Sequence, residues 1–108
     1  MKFYYSDITL EVPEGVYYPR EDSELMAKTI EKIDLTGKKL LEIGCGSGFL
    51  SILTAKKGAD VTAVDTNPDA VEITRNNEET NNVRMDVIHS DLFKKVPDKF
   101  DIIIFNPP

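Results

Sequence analysis

Residues 40–50 read LLEIGCGSGFL. Leu40, Leu41 and Ile43 form a short apolar run, glycines stand at 44, 46 and 48, and Phe49 and Leu50 open a second apolar segment. The stretch reads as a strand, a tight glycine loop and the start of a helix. Glycine in such a loop lets the backbone turn sharply and lets a ligand approach the main chain. The helix that follows offers free N–H groups. Taken alone, the loop also reads as a strand–helix turn with no ligand. A G-x-G-x-x-G dinucleotide fingerprint needs glycine at position 49, where Phe49 stands. No Gly-Lys-Ser/Thr follows, which excludes a phosphate-binding P-loop.

Working downstream, Phe49, Leu50, Ile52, Leu53 and Ala55 make a helix that Gly58 terminates. Val61, Ala63 and Val64 make a second strand. Asn67 caps and Pro68 opens a second helix, with Ala70, Val71, Ile73 and Thr74 along it. Val87 and Ile88 mark a third strand, and Phe100 to Phe105 a fourth. Strands apolar on both faces, alternating with helices, predict a doubly wound α/β fold with a parallel sheet. Upstream, residues 2–18 alternate polar and apolar, with Pro13-Glu14-Gly15 as a turn, and predict short strands or a hairpin flap. Leu25, Met26, Thr29, Ile30 and Ile33 recur at helical spacing, with Asp22 or Ser23 as the cap and Thr36-Gly37 as the end. The chain is expected to form one domain: a flap over 1–20, a helix segment over 21–37 and a core over 38–108.

A length of 108 residues suits one small domain, and 41% hydrophobic with 30% charged residues suits a soluble globular chain. The net charge of −6 argues against electrostatic gripping of nucleic acid, which calls for a basic patch. Cys45 is the single cysteine, so neither an intrachain disulfide nor a cysteine-based zinc site forms, and no metal site is expected. The amino terminus lacks the apolar core of a signal peptide, and no apolar run spans a bilayer. A cytoplasmic protein with no membrane partner is expected.

Asp65 ends the second strand, and Asp91 follows the third. A carboxylate at the end of a second strand accepts both ribose hydroxyls of an adenosine. With Glu42 ahead of the glycines, three acids then face one crevice at the carboxyl edge of the sheet. They repel a pyrophosphate and suit a nucleoside with a cationic tail and no phosphate, as in S-adenosylmethionine. Asp65 alone also reads as an ordinary helix-entry acid. Three acids ending successive strands beside a glycine loop are harder to assign to structure.

EIGCGSG, VDTNPDAV, SDLF and FNPP, in that order over residues 38–108, resemble the successive motifs of class I S-adenosylmethionine-dependent methyltransferases. The resemblance implies a Rossmann-like core with local strand order 3-2-1-4. It implies that Glu42 and the loop of Gly44, Cys45, Gly46 and Gly48 hold the methionine end of the cofactor. Asp65 would take the ribose hydroxyls, and Asp91 and Leu92 would contact the adenine. The product would be S-adenosylhomocysteine.

Asn106, Pro107 and Pro108 read at their plainest as a strand stop and turn. After a methyltransferase core they carry chemistry. A planar NH2 on an amide or nucleobase is a poor nucleophile because its lone pair is delocalised. The Asn106 side-chain oxygen and the Pro107 carbonyl accept its two N–H bonds, aim the lone pair at the methyl group and stabilise the charge that grows on nitrogen. The prolines stiffen the loop. The resemblance implies that Asn106 also borders the cofactor. In the family an aromatic follows this motif and the sheet continues. The 108 residues are therefore expected to be the cofactor-binding part of a longer protein, with the fourth strand as an apolar edge.

VYYPREDSELMAK resembles the segment ahead of the core in HemK-related glutamine methyltransferases of archaea and eukaryotes, where the pattern is Val-Tyr-x-Pro-x-Glu-Asp-Thr. Val16, Tyr17, Pro19, Glu21 and Asp22 match, and Ser23 keeps the hydroxyl that would reach the methionine end. This implies methylation of the glutamine in the Gly-Gly-Gln loop of a class I translation termination factor. In the eukaryotic branch it also implies a small zinc-binding activator subunit at the sheet edge, here the third strand, RMDVIH. Two alternatives stay open: transfer to an exocyclic amine of adenine or guanine in RNA or DNA, and a cofactor- or partner-binding module without transfer. Cys45 is read as a small loop residue, His89 as structural, and the tyrosines at 4, 5, 17 and 18 as parts of the flap.

Overall fold

The computed structural model describes residues 1–91 and 99–105. The chain starts with an antiparallel hairpin of β1 (Lys2–Tyr5) and β2 (Ile8–Glu11), followed by helix α1 (Glu21–Glu31). Then come β3 (Lys39–Ile43), α2 (Phe49–Lys56), β4 (Asp60–Asp65), α3 (Pro68–Thr80), β5 (Asp86–His89) and β6 (Ile102–Phe105). The last four strands form one parallel sheet of order β5-β4-β3-β6. This is the expected 3-2-1-4 order, with the glycine loop leaving the carboxyl end of a central strand.

The period of two along β3 divides its side chains between the two sheet faces. Leu40 joins the larger core, in which Phe3, Ile8, Leu10 and Val12 of the hairpin segment pack with Ala27 and Ile30 of α1 and with Phe49, Leu50, Ile52 and Leu53 of α2. Leu41 and Ile43 lie in a smaller cluster with Val64, flanked by Ile88 and Phe100. Leu10 and Leu50 are fully buried, and truncating either to alanine costs about 2–5 kcal/mol. The hairpin is thus a structural part of the core. Its aromatic rings seal it to α2: Phe3 and Tyr5 meet the Phe49 ring edge-on at centroid distances of 4.8 and 5.1 Å.

Three boundaries differ from expectation. The hairpin turns at Ser6-Asp7, where Ser6 takes a left-handed φ of 53°, and Pro13-Glu14-Gly15 turns the chain only after β2. Asp22 and Ser23 do not cap α1. Arg20 is the N-cap and its side chain makes no cap bond, while Glu21, Asp22 and Glu24 place negative charge in the first turn. The helix ends at Glu31, short of Thr36-Gly37: Asp34 accepts the Thr36 N–H at 3.1 Å, a local turn that carries Leu35 into the core. The Asn67 cap and Pro68 start of α3 stand as expected, with the Asn67 side chain accepting the Asp69 N–H at 2.9 Å.

The outer strands differ in character. On β6, Ile103 and Phe105 are exposed. Beside β5, the Arg75 guanidinium of α3 donates to the Val87 carbonyl at 2.8 Å. Among the described residues, no helix is long and apolar enough to cross a membrane.

Candidate active site

The loop between β3 and α2 is built on backbone that only glycine adopts easily. Gly44, Gly46 and Gly48 take φ of 80°, 56° and 89°. The loop is tied to β4, because the Gly44 and Cys45 N–H groups both donate to the Val64 carbonyl, at 2.8 and 3.1 Å. Gly48 is the N-cap of α2, and a Cβ there would lie 2.9 Å from Thr74 Cγ2. Helix α3 therefore packs directly against the loop.

Beside the loop lies a cavity of 340 Å3, within the usual range of small-molecule sites, about 300–1,000 Å3. Its floor is the ends of β3 and β4, with Glu42, Ile43, Val64 and Asp65, and the loop residues Gly44, Cys45, Gly46 and Ser47 form one wall. The segment after the hairpin crosses its mouth with Gly15, Val16, Tyr17 and Pro19, and Ser23 of α1 faces it. Thr66, Asn67, Ala70, Ser90 and Phe105 also line it. The described lining residues include two carboxylates and no lysine, arginine or histidine. That donor set suits a cationic, phosphate-free nucleoside and opposes a pyrophosphate.

The two carboxylates are held differently. Glu42 is buried, and Ser51 Oγ, in the first turn of α2, donates to its Oε1 at 2.5 Å. Asp65 is half-buried and accepts two backbone donors: Gly46 N–H on Oδ2 at 3.0 Å and Asn67 N–H on Oδ1 at 2.9 Å. Cys45 is buried beside them. Burial first, and then the nearby Glu42 charge, push its thiol up to about 12. Its Sγ accepts from Thr74 Oγ1 at 3.4 Å, and the same hydroxyl donates to the Gly46 carbonyl at 3.0 Å. The Tyr17 phenol donates to Asp22 Oδ1 at 3.1 Å, and burial together with that carboxylate raises its pKa.

Ser23, Glu42, Gly44, Cys45, Gly46 and Asp65 thus come together around one cavity. Gly48 stands behind it as the start of α2. At the β5 end, Ser90 lines the cavity and Asp91, its exposed neighbour, is not among the lining residues. Leu92, Asn106, Pro107 and Pro108 lie outside the described residues. His89 Nε2 sits 2.9 Å from the Thr66 carbonyl and links the end of β5 to the loop after β4. Among the described residues no cluster of three or more His, Cys, Asp or Glu side chains could hold a metal ion.

Three partners were not read from the sequence. Ser51 and Thr74 are hydroxyls on the inner faces of α2 and α3, and Asn77 is fully buried one turn beyond Thr74. The stripe Ala70, Val71, Thr74, Asn77 and Asn81 follows helical spacing, and its buried polar members were the available signal.

A parallel β5-β4-β3-β6 sheet with a glycine loop after β3 and an acid ending β4 defines the Rossmann-like fold of class I methyltransferases. The chain belongs to the methyltransferase small domain family, whose model matches residues 10–108. It is 47% identical over 102 residues to a protein of Methanocaldococcus jannaschii described as a protein N5-glutamine methyltransferase, covering 94% of this chain and 51% of that one. It is 36% identical over 107 residues to the release factor glutamine methyltransferase of Lactococcus lactis, covering 96% and 40%. Among solved structures it resembles the Thermus thermophilus 16S rRNA N2 G1207 methyltransferase bound to S-adenosylmethionine and guanosine. That match has a TM-score of 0.82 and 26% identity, over 94% of this chain and 30% of that one. The chain spans about half or less of the length of these proteins.

Proposed function

We propose that the protein is an S-adenosylmethionine-dependent N-methyltransferase whose acceptor is a glutamine side-chain amide, that of the Gly-Gly-Gln loop of a translation termination factor. The observation that carries the cofactor reading is the acidic, phosphate-averse cavity beside the glycine loop. When bound there, S-adenosylmethionine supplies an electrophilic methyl group on a sulfonium. Asp65 receives the ribose hydroxyls on the oxygen lone pairs that Gly46 and Asn67 leave open. Glu42, Ser23 and the backbone of Gly44 to Gly46 receive the methionine end, and the region of Ser90 to Leu92 the adenine. Asn106 and the Pro107 carbonyl accept the two N–H bonds of the acceptor nitrogen, and Pro108 stiffens the loop.

The glutamine acceptor is supported by the segment that crosses the cavity mouth. Of the HemK-related pattern, Val16, Tyr17, Pro19 and the substituted Ser23 line the cavity, and Glu21 and Asp22 do not. The identity with the archaeal relative supports it further. The likeness to a guanine N2 methyltransferase supports a nucleobase acceptor as the second reading.

Labelled S-adenosylmethionine, incubated with the full-length protein and either a purified termination factor or ribosomal RNA, tests this. Label on the factor, lost when its loop glutamine is replaced by alanine, is expected. Label on the RNA alone would replace the glutamine reading with the nucleobase one. Label on neither would leave a binding module without transfer.

A further inference from the structure

We propose that Asn77 of α3 is a positioning residue that joins the glycine loop to the end of the hairpin, just ahead of the segment that lines the cavity, an inference that rests on the methyltransferase reading for its effect on cofactor affinity. Asn77 is 1% exposed, and its amide is saturated. Oδ1 accepts the Glu11 N–H at 2.9 Å. Nδ2 donates to the Glu11 carbonyl at 3.0 Å and to the Ser47 carbonyl at 2.8 Å. One planar group thereby fixes both backbone groups at the end of β2 and one carbonyl in the glycine loop. A buried amide with every donor and acceptor used specifies its neighbours' positions strongly, because any shift leaves a polar group unpaired.

The two segments it joins both adjoin the cavity. Ser47 lies in the wall of the cavity, and its carbonyl precedes the left-handed Gly48 that starts α2. Glu11 is followed within a few residues by the crossing segment, whose Tyr17 Cβ would sit 4.0 Å from a Cβ at Gly46. The crossing segment thus runs beside the loop at Tyr17, and Asn77 anchors the loop and the β2 end from which that segment departs.

Asn81, four residues on at the C-cap of α3, provides the control. It accepts the Thr9 N–H at 3.0 Å and donates to the Thr9 carbonyl at 2.8 Å, gripping β2 in the same manner. Its second N–H goes to the Asn77 carbonyl at 2.8 Å, within α3. Asn81 holds the hairpin alone, and Asn77 holds the hairpin and the loop.

The test compares Asn77→Ala, Asn77→Ser and Asn81→Ala in the full-length protein, with folding checked by circular dichroism. Asn77→Ser keeps one donor and covers the case in which Asn77→Ala does not fold. Backbone amide exchange is the first readout. Both Asn77 variants should speed exchange in residues 44–48 as well as in the hairpin, and Asn81→Ala in the hairpin only. Calorimetric titration with S-adenosylhomocysteine is the second. The Asn77 variants should weaken binding about tenfold, the effect of ~1.4 kcal/mol, and Asn81→Ala much less. Unchanged loop exchange in the Asn77 variants would overturn the proposal, as would equal loop exchange and affinity in all three. Absence of binding by the unaltered protein would instead count against the methyltransferase reading, and the exchange result would still decide the role of Asn77.

Discussion

Asp65 Oδ2 accepts the backbone N–H of Gly46 at 3.0 Å, so the carboxylate that ends β4 also holds the glycine loop that follows β3. Its other oxygen takes the Asn67 N–H at 2.9 Å and starts the turn into α3. One side chain thus sets the relative position of two loops that border the cavity. The residue type is constrained by the loop geometry, and under the proposed function by the ribose hydroxyls as well.

Asp65→Ala removes both functions. Losing two charge-assisted bonds at a half-buried site should lower stability on the order of 1–3 kcal/mol. Affinity for S-adenosylhomocysteine should fall roughly tenfold or more, because the ribose contacts go and the loop loosens. Chemical denaturation and calorimetry measure the two effects separately. A variant with unchanged affinity would remove Asp65 from the cofactor site.

Gly48→Ala should destabilise the chain through two causes. A left-handed φ of 89° costs about 1–2 kcal/mol for a residue with a Cβ, and that Cβ would sit 2.9 Å from Thr74 Cγ2. Adding Thr74→Ser removes the offending methyl and keeps the hydroxyl that bonds the Gly46 carbonyl. The double variant should recover part of the lost thermal stability. A double variant no more stable than Gly48→Ala would contradict a cost carried by the Thr74 methyl.

Cys45 gives a pH dependence. Its thiol is pushed up to about 12 from an ordinary value of 9.0, so the folded chain keeps the proton while the unfolded chain loses it above pH 9. The neutral thiol favours the fold fully below pH 9, and that contribution is lost as pH rises from 9 to about 12. Alkylation by iodoacetamide at pH 8 should be slow in the folded protein and fast in denaturant. Equal rates in the two states would contradict the buried, protonated thiol.

Asn106→Ala separates binding from transfer. In the full-length protein it should abolish methyl transfer and leave S-adenosylhomocysteine affinity within a few-fold of the original. Retained turnover would refute the role of the Asn106 side chain in holding the acceptor nitrogen.

The parallel sheet was legible because β3, β4, β5 and β6 are short apolar runs between helical patterns, and its order 3-2-1-4 came from the resemblance to class I methyltransferases. The site acids Glu42 and Asp65 were legible because they end or interrupt apolar strands. The buried polar partners were not. Ser51 and Asn77 look like ordinary helix-surface residues until the fold turns those faces inward, and Thr74, read as part of the helix pattern, gave no sign of its bond to the loop. The ends of α1 were misjudged for a local reason. Asp34 diverts the chain one turn early to bury Leu35, and Asp22 points back to Tyr17 instead of capping the helix.

The central claim is that the cavity beside the glycine loop holds a phosphate-free adenosyl cofactor. Calorimetric titration of the full-length protein with S-adenosylhomocysteine, set against NAD under the same conditions, tests it most directly. The account predicts one saturable site for S-adenosylhomocysteine and none for NAD. A folded protein that binds NAD, or that binds neither, would contradict it.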